Sequence, residues 1–214
     1  AAGVPSKLSV TAVKRLRAAA LEEDMPQRLP VLAGVTPREQ AFTAAERGSI
    51  VHYVLRHLDF GRADTLDDIR EQLSEMTARD LLSQDEADTV DPLWIQRFCA
   101  SPLCARMRKA GDMRREVPFL MRISADDIAP AYAGCDEPLL VQGIIDCCFI
   151  EDGAWVLVDY KTDAVFDGDI SGGAARYIDQ IRLYREALST LTGRRVKEAY
   201  LYFLAVGEAV KMGT

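Results

Sequence analysis

The chain contains no C-x-x-C pair, no run approaching the roughly 20 apolar residues a membrane span needs, and no excess of positive charge. Each absence removes a class of protein. Without cysteines at ligand spacing, a zinc knuckle or dithiol redox motif has no support. The five cysteines, at positions 99, 104, 135, 147 and 148, make an odd set for a disulfide framework. Reduced thiols in a cytoplasmic protein are therefore expected. The opening AAGVPSKLSVTAVKRLRAAA lacks the basic-then-apolar order of a signal peptide, and it reads as the start of a fragment whose native chain extends upstream. No internal repeat or low-complexity linker is present. A formal charge of −7 argues at first against a nucleic-acid partner.

What is there suits one sizeable globular unit. With 49% apolar residues over 214 positions, the chain can bury a real core as a single domain, 1–214. Residues 1–110 read as a mainly helical layer. KLSVTAVKRLRAAAL forms one helix, and TPREQAFTAAERGSIVHYVLRHLDF a second, with Thr36 as cap and Pro37 at the first helical position. Short helices follow over 66–110. Ser83 with Glu86 fits a capping box, and Ser101 with Pro102 fits a further helix entry. From 111 to 214 the pattern becomes a sheet core. REVPFLMRIS, VQGIIDCCFI and AWVLVDYKT read as strands, RYIDQIRLYREALSTLTG as an amphipathic helix ending at Gly193, and VKEAYLYFLAV as a closing strand. The fold class is α/β, with an αβββαβ core from about residue 102.

The chemistry concentrates at VLVDYKTD, residues 156–163. Asp152-Gly153 is a favoured two-residue hairpin turn between the second and third strands of this core. If those two residues make the turn, Glu151 faces Ala154 and Asp146 faces Asp159, with Cβ atoms roughly 4.5–5.5 Å apart. Opposed carboxylates in a half-buried sheet repel. A divalent cation removes the problem, because hard oxygen ligands at this spacing can share Mg²⁺ or Mn²⁺. Lys161 lies two residues beyond Asp159 and emerges on the same face, where it can orient water or stabilise charge growing on a phosphate. A D-x-K alone reads as an ordinary ion pair; the opposed Asp146 is what points to phosphodiester hydrolysis.

Basic residues cluster elsewhere. ARMRKAGDMRREV places Arg106, Arg108, Lys109, Arg114 and Arg115 close together, and Arg176, Arg182, Arg185, Arg194, Arg195 and Lys197 surround the later helix. Taken alone, such runs are solvated faces.

GIID, followed by DYKTD and then by a helix carrying QIRLY, resembles the PD-(D/E)XK nuclease superfamily, and within it the RecB-type exonuclease branch. The first and last stretches, KLSVTAVKRL and YLYFLAVG, are similar to the C-terminal nuclease domain of AddA-type helicase–nuclease subunits. The resemblance implies a restriction-endonuclease-like core: a mixed sheet flanked by helices, with an N-terminal helical layer. It further implies a Mg²⁺-dependent nuclease, with Mn²⁺ as the other usable ion, that cuts single-stranded DNA fed by a helicase in the same chain during double-strand-break repair. The strand cut would be the 3′-terminated one, and the partner an AddB-type subunit. The four-cysteine iron–sulfur frame of AddB and Cas4 types is missing, so no cluster is expected.

By the same resemblance Asp146 and Asp159 are metal-binding and catalytic acids, the carbonyl of Tyr160 and the ring of His52 are further metal ligands, and Lys161 is the catalytic lysine. Gln180 helps position the catalytic groups, Tyr184 the DNA, and Glu116 is an acidic strand position near the site. The run containing Arg106, Arg108, Lys109, Arg114 and Arg115 precedes the first core strand and is placed to flank a DNA groove. Thr162 is expected to brace the strand end and His57 to lie on the surface. Two other readings stand beside this one: a DNA-binding scaffold that keeps the fold without catalysis, and a stand-alone Cas4-like nuclease.

Overall fold

The computed structural model describes residues 7–22, 42–124, 138–163 and 169–213. The chain divides into two compact units, one comprising residues 1–41 and 118–143, the other 42–117 and 144–214.

In the first unit, β1 (Lys7–Ser9) runs directly into α1 (Val10–Glu22). β1 lies parallel to the start of β3 (Leu139–Glu151), with Lys7 opposite Leu140 and Ser9 opposite Gln142. This corrects the expectation of helix throughout KLSVTAVKRL. Only the central Leu8 of β1 is buried, so its alternation is too short to stand out against the helical periodicity that follows. The glycine of GIID has a packing role. A Cβ on Gly143 would approach the Phe119 ring to 2.7 Å and Val10 to 2.9 Å, so a larger residue would force these elements apart.

The second unit holds most of the core. Its helices are α2 (Ala44–His57), α3 (Leu66–Ala78), α4 (Gln84–Asp88), α5 (Pro92–Cys99) and α6 (Pro102–Lys109). α2 begins at Ala44, where Thr43 and Glu46 form a reciprocal capping box; the expected start at Thr36 and Pro37 lies outside the described residues. The predicted caps at Ser83 and Ser101 are both present. Gln72 of α3, 3% exposed, accepts from the Asp59 amide and donates to the carbonyls of Asp59 and Arg62, closing the turn after α2.

The strands are β2 (Met113–Ile123), β3, β4 (Ala154–Lys161), β5 (Val196–Phe203) and β6 (Glu208–Met212). β3 pairs antiparallel with β4, β4 parallel with β5, and β5 antiparallel with β6, while β2 also pairs with β3. β4 is buried from Ala154 to Tyr160, as its run of apolar residues requires of a strand covered on both faces. A parallel β4–β5 pair needs a long crossover. It contains α7 (Ile170–Ala175) and α8 (Ile178–Thr192), the latter packing Ile181, Leu183, Tyr184, Ala187 and Leu188 inward and ending at left-handed Gly193. α7 and β6 are additions to the expected αβββαβ order; the mixed sheet flanked by helices is as expected.

The hairpin register also follows the count. Glu151 faces Ala154 and the pairing continues to Cys147 opposite Val158, so Asp146 and Asp159 come next in line. Asp152 and Gly153 both adopt positive φ, 49° and 74°, as a type I′ turn demands. Cys99, Cys104, Cys147 and Cys148 are free and buried; Cys135 lies outside the described residues. No helix among the described residues is long and apolar enough to cross a membrane.

Candidate active site

Three elements of the second unit deliver the site. α2 turns its apolar face, Ile50, Val51, Val54 and Leu55, into the core, leaving His52 half-buried beside the sheet. The approach is close at Gly48, where a Cβ would lie 3.0 Å from Thr162 Oγ1. Thr162 therefore sits against the helix rather than among the acids. The far end of α2 is held by Arg115, whose guanidinium donates to the carbonyls of Leu55, Arg56 and Leu58 at 3.0, 3.0 and 2.6 Å. His57, in the same last turn, is exposed, as expected.

On the hairpin, Asp146 is 9% exposed and Asp159 1%. Asp146 Oδ2 accepts from the Tyr160 amide at 2.8 Å, and its Oδ1 lies 3.3 Å from His52 Nδ1. Asp159 Oδ1 accepts from Gln180 Nε2 at 3.0 Å, while Oδ2 lies 2.5 Å from Lys161 Nζ in an ion pair that lacks hydrogen-bond angles. Alternation along β4 turns the Tyr160 ring into the core against Phe98, so only its backbone meets the acids.

α8 supplies the third side. Gln180 joins the parts: its amide nitrogen donates to Asp159 and Tyr184, and its oxygen accepts from Lys161 Nζ at 3.4 Å. Tyr177 carries no chemical signature in the sequence. It lies with its ring 4.2 Å from Lys161 Nζ while its hydroxyl donates to Asp163. The lysine is thus held by a carboxylate, an amide and an aromatic face.

Electrostatics bear on what fits here. Burial, and then the neighbouring charge of Asp146, raises the Asp159 carboxyl well above the usual range. Burial followed by Asp146 raises Glu116 in the same way. Burial pulls His52 down, but Asp146 and Asp159 outweigh it and leave the imidazole above its ordinary value. Two buried acids side by side form a site short of positive charge. The ligand atoms of His52, Glu116 and Asp146 all lie within 4.8 Å of one another, so one cation could meet all three. Glu116 reaches them from a backbone with φ of 51°, a left-handed conformation costly for a side chain within a strand. This donor set, mixed nitrogen and carboxylate, suits a divalent ion. Asp159 stands beside the group, its oxygens engaged by Lys161 and Gln180.

Four of the five cations in the run expected to flank a DNA groove have acidic or carbonyl partners within the protein. Arg106 pairs with Glu151 and Glu198 at 2.7 and 2.5 Å and donates to the Tyr200 hydroxyl, at the turn end of the hairpin. That end is five residues along β3 from Asp146, roughly 17 Å away. Lys109 is exposed beside the same turn. Arg108 pairs with Asp64, Arg114 pairs with Asp112 and covers the Trp155 ring, and Arg115 caps α2. Sequence records charges and not their partners, so these pairings were not legible in it.

Comparison with known proteins agrees with this geometry. The chain is 42% identical over 214 residues to one subunit of the ATP-dependent helicase/nuclease of Alkaliphilus oremlandii, covering 98% of this chain and 18% of that protein. It is 40% identical over 213 residues to the subunit of the same name from Alkaliphilus metalliredigens, covering 97% and 18%. To that of Acetivibrio thermocellus it is 42% identical over 211 residues, covering 94% and 16%. The chain therefore spans less than a fifth of the length of these relatives. Residues 8–212 match the PD-(D/E)XK nuclease superfamily, a span that runs from β1 to the last residue of β6 and takes in every element around the acids. On that match, the chain belongs to the PD-(D/E)XK nuclease superfamily.

Proposed function

We propose that residues 1–214 act as one metal-dependent nuclease domain, hydrolysing phosphodiester bonds in single-stranded DNA as part of a longer helicase–nuclease working in double-strand-break repair. The observation that carries this reading is the meeting of buried Asp146 and Asp159 with Lys161, His52 and Glu116 on one face of the hairpin. Such a cluster costs the fold stability unless a cation and a substrate use it. The names of the 42%-identical relatives supply the helicase context. An AddB-type partner, a 3′-terminated substrate strand and a cytoplasmic location belong to the same proposal.

His52, Glu116, Asp146 and Asp159 would hold the ion, with the Tyr160 carbonyl as a further oxygen. Bound there, Mg²⁺ or Mn²⁺ supplies Lewis acidity toward the scissile phosphate and toward water. The chain's own groups do the rest. Lys161 keeps its ammonium aimed at the acids because Asp159, Gln180 and the Tyr177 ring fix it from three sides. A fixed cation there stabilises negative charge as it grows on the phosphate. Gln180 ties Asp159, Lys161 and Tyr184 into one unit, so loss of its amide would misplace all three. His52 steadies Asp146 from α2.

The test is cleavage of labelled single-stranded DNA with Mg²⁺ and with EDTA, comparing wild type and Lys161→Ala. Metal-dependent cutting that the variant loses is expected. If neither cuts, titration calorimetry with Mn²⁺ decides: absence of binding to the wild type refutes the reading in favour of a scaffold.

A further inference from the structure

A cavity of about 580 Å³ opens beside the acid cluster, within the roughly 300–1,000 Å³ span of small-ligand sites. Its walls come from the elements that build the site. Val51 precedes His52, Thr162 follows Lys161, and Arg176 precedes Tyr177. Arg47 of α2 and Trp94 of α5 complete the lining that matters here.

The chemistry of this lining differs from that of the basic run at 106–115. Arg47 and Arg176 are exposed, and among the described residues neither has an ion-pair partner. Asp163, the acid in the same wall, is tied to the Tyr177 hydroxyl. Trp94 packs on the core but remains partly exposed toward the cavity. Two free guanidinium groups and an accessible indole match one unit of a single strand, a phosphate with an unstacked base. A duplex offers no free base face to Trp94. We infer that this cleft binds the nucleotide next to the scissile phosphate, with Arg47 and Arg176 on the backbone and Trp94 stacked on the base. The inference rests on the nuclease reading for the direction of the strand past the site, and it adds the residues that would select single-stranded substrate.

The experiment is titration of the whole chain with fluorescein-labelled oligothymidylate in EDTA, where no cutting occurs, read by anisotropy, and with unlabelled oligothymidylate, read by tryptophan fluorescence. The chain has two tryptophans, and Trp155 is 1% exposed with its indole nitrogen bonded to Thr192, so quenching by DNA reports Trp94. Quenching is expected in the wild type. Trp94→Ala should weaken binding about tenfold, within the range for loss of one stacked base. Arg47→Gln with Arg176→Gln should reduce the slope of log K against log salt by about 1.4, the value for two single-strand phosphate contacts. Arg47 and Arg176 are exposed and Trp94 is partly exposed, and the variants are checked for folding by circular dichroism. Unchanged affinity and salt slope in both variants, with no quenching in the wild type, would overturn the cleft. If the wild type cuts DNA with Mg²⁺ and the variants bind and cut like it, the cleft fails and the nuclease stands. If the wild type neither cuts nor binds Mn²⁺ while the cleft variants lose DNA, the cleft stands and the nuclease reading fails.

Discussion

Replacing Arg106 by Leu separates structure from function at the turn end of the hairpin. Arg106 lies between Glu151 of β3 and Glu198 of β5, with its guanidinium also 5.9 and 5.7 Å from the rings of Phe149 and Tyr200. Glu151 is lowered to about 2, chiefly by Arg106 and then by Lys197. Glu198 is lowered to about 2 by Lys211 first and Arg106 next. Each shift from 4.5 would amount to about 3 kcal/mol at 1.36 kcal/mol per unit. These side chains keep 20–30% exposure and share their partners, so screening reduces Arg106's part to about 1 kcal/mol per pair. Arg106→Leu should therefore cost about 2 kcal/mol at pH 7, a fall in Tm of about 4–8 °C for a chain of this size. The sign with pH follows from the depressed carboxyls. Their stabilisation is present above the unfolded value of 4.5 and is lost as pH falls toward 2, so the gap between wild type and variant should close across that interval. Urea unfolding at pH 7 and pH 2.5 measures both. A gap that persists undiminished at pH 2.5 would assign the effect to packing, and no gap at pH 7 would refute the ion-pair account. DNA affinity of the variant, measured in EDTA, should match wild type; a loss of affinity with intact stability would return Arg106 to the DNA path.

Asp159→Asn should stabilise the metal-free protein. The raised carboxyl makes its ionised form a burden that appears only as pH climbs above the carboxylate range. A gain in Tm of about 5 °C at pH 8 in EDTA, absent at pH 4 and accompanied by loss of the Mn²⁺-induced shift, is the expected calorimetric result. Gln72→Leu would strip bonds from the Asp59 amide and the carbonyls of Asp59 and Arg62. It should cost about 3 kcal/mol by urea titration, and a cost under about 1 kcal/mol would mean that water replaces the amide there. Gly153→Val puts a β-branched residue at φ of 74° in the hairpin turn. It should cost about 1–2 kcal/mol and weaken Mn²⁺ binding by calorimetry as Asp146 and Asp159 lose alignment; unaltered Mn²⁺ affinity would show that the register does not depend on this turn.

The acids were readable from sequence for a mechanical reason. A two-residue Asp-Gly turn leaves one register open, and each pair from Glu151–Ala154 to Cys147–Val158 follows from it by counting. Gln180 and Tyr184 entered through the family resemblance, and helix spacing adds that positions four apart share a face. What stayed hidden depends on tertiary placement. Nothing local says that β1 is a strand, because three residues beside β3 gain their stability from the partner and not from their own pattern. The left-handed backbone of Glu116 within β2, from which it reaches His52 and Asp146, leaves no mark in REVPF. Tyr177 could not be singled out, because an aromatic ring beneath an ammonium has the same sequence signature as one beneath a leucine.

On the proposed nuclease reading the arginines bear most directly on substrate, because a chain of net charge −7 that handles a polyanion must choose which of its cations stay available. The dense run at 106–115 was the obvious place to look, yet its guanidinium groups close the hairpin end, the Asp64 and Asp112 turns and the C-terminus of α2. Their density reflects a segment that crosses from α6 into β2 and meets several acidic or carbonyl-rich neighbours in a few residues. Arg47 and Arg176 are far apart in sequence, but both line the cleft, Arg47 five residues before His52 and Arg176 next to Tyr177. Availability beside the chemistry, and not local charge density, is what an anionic strand can use.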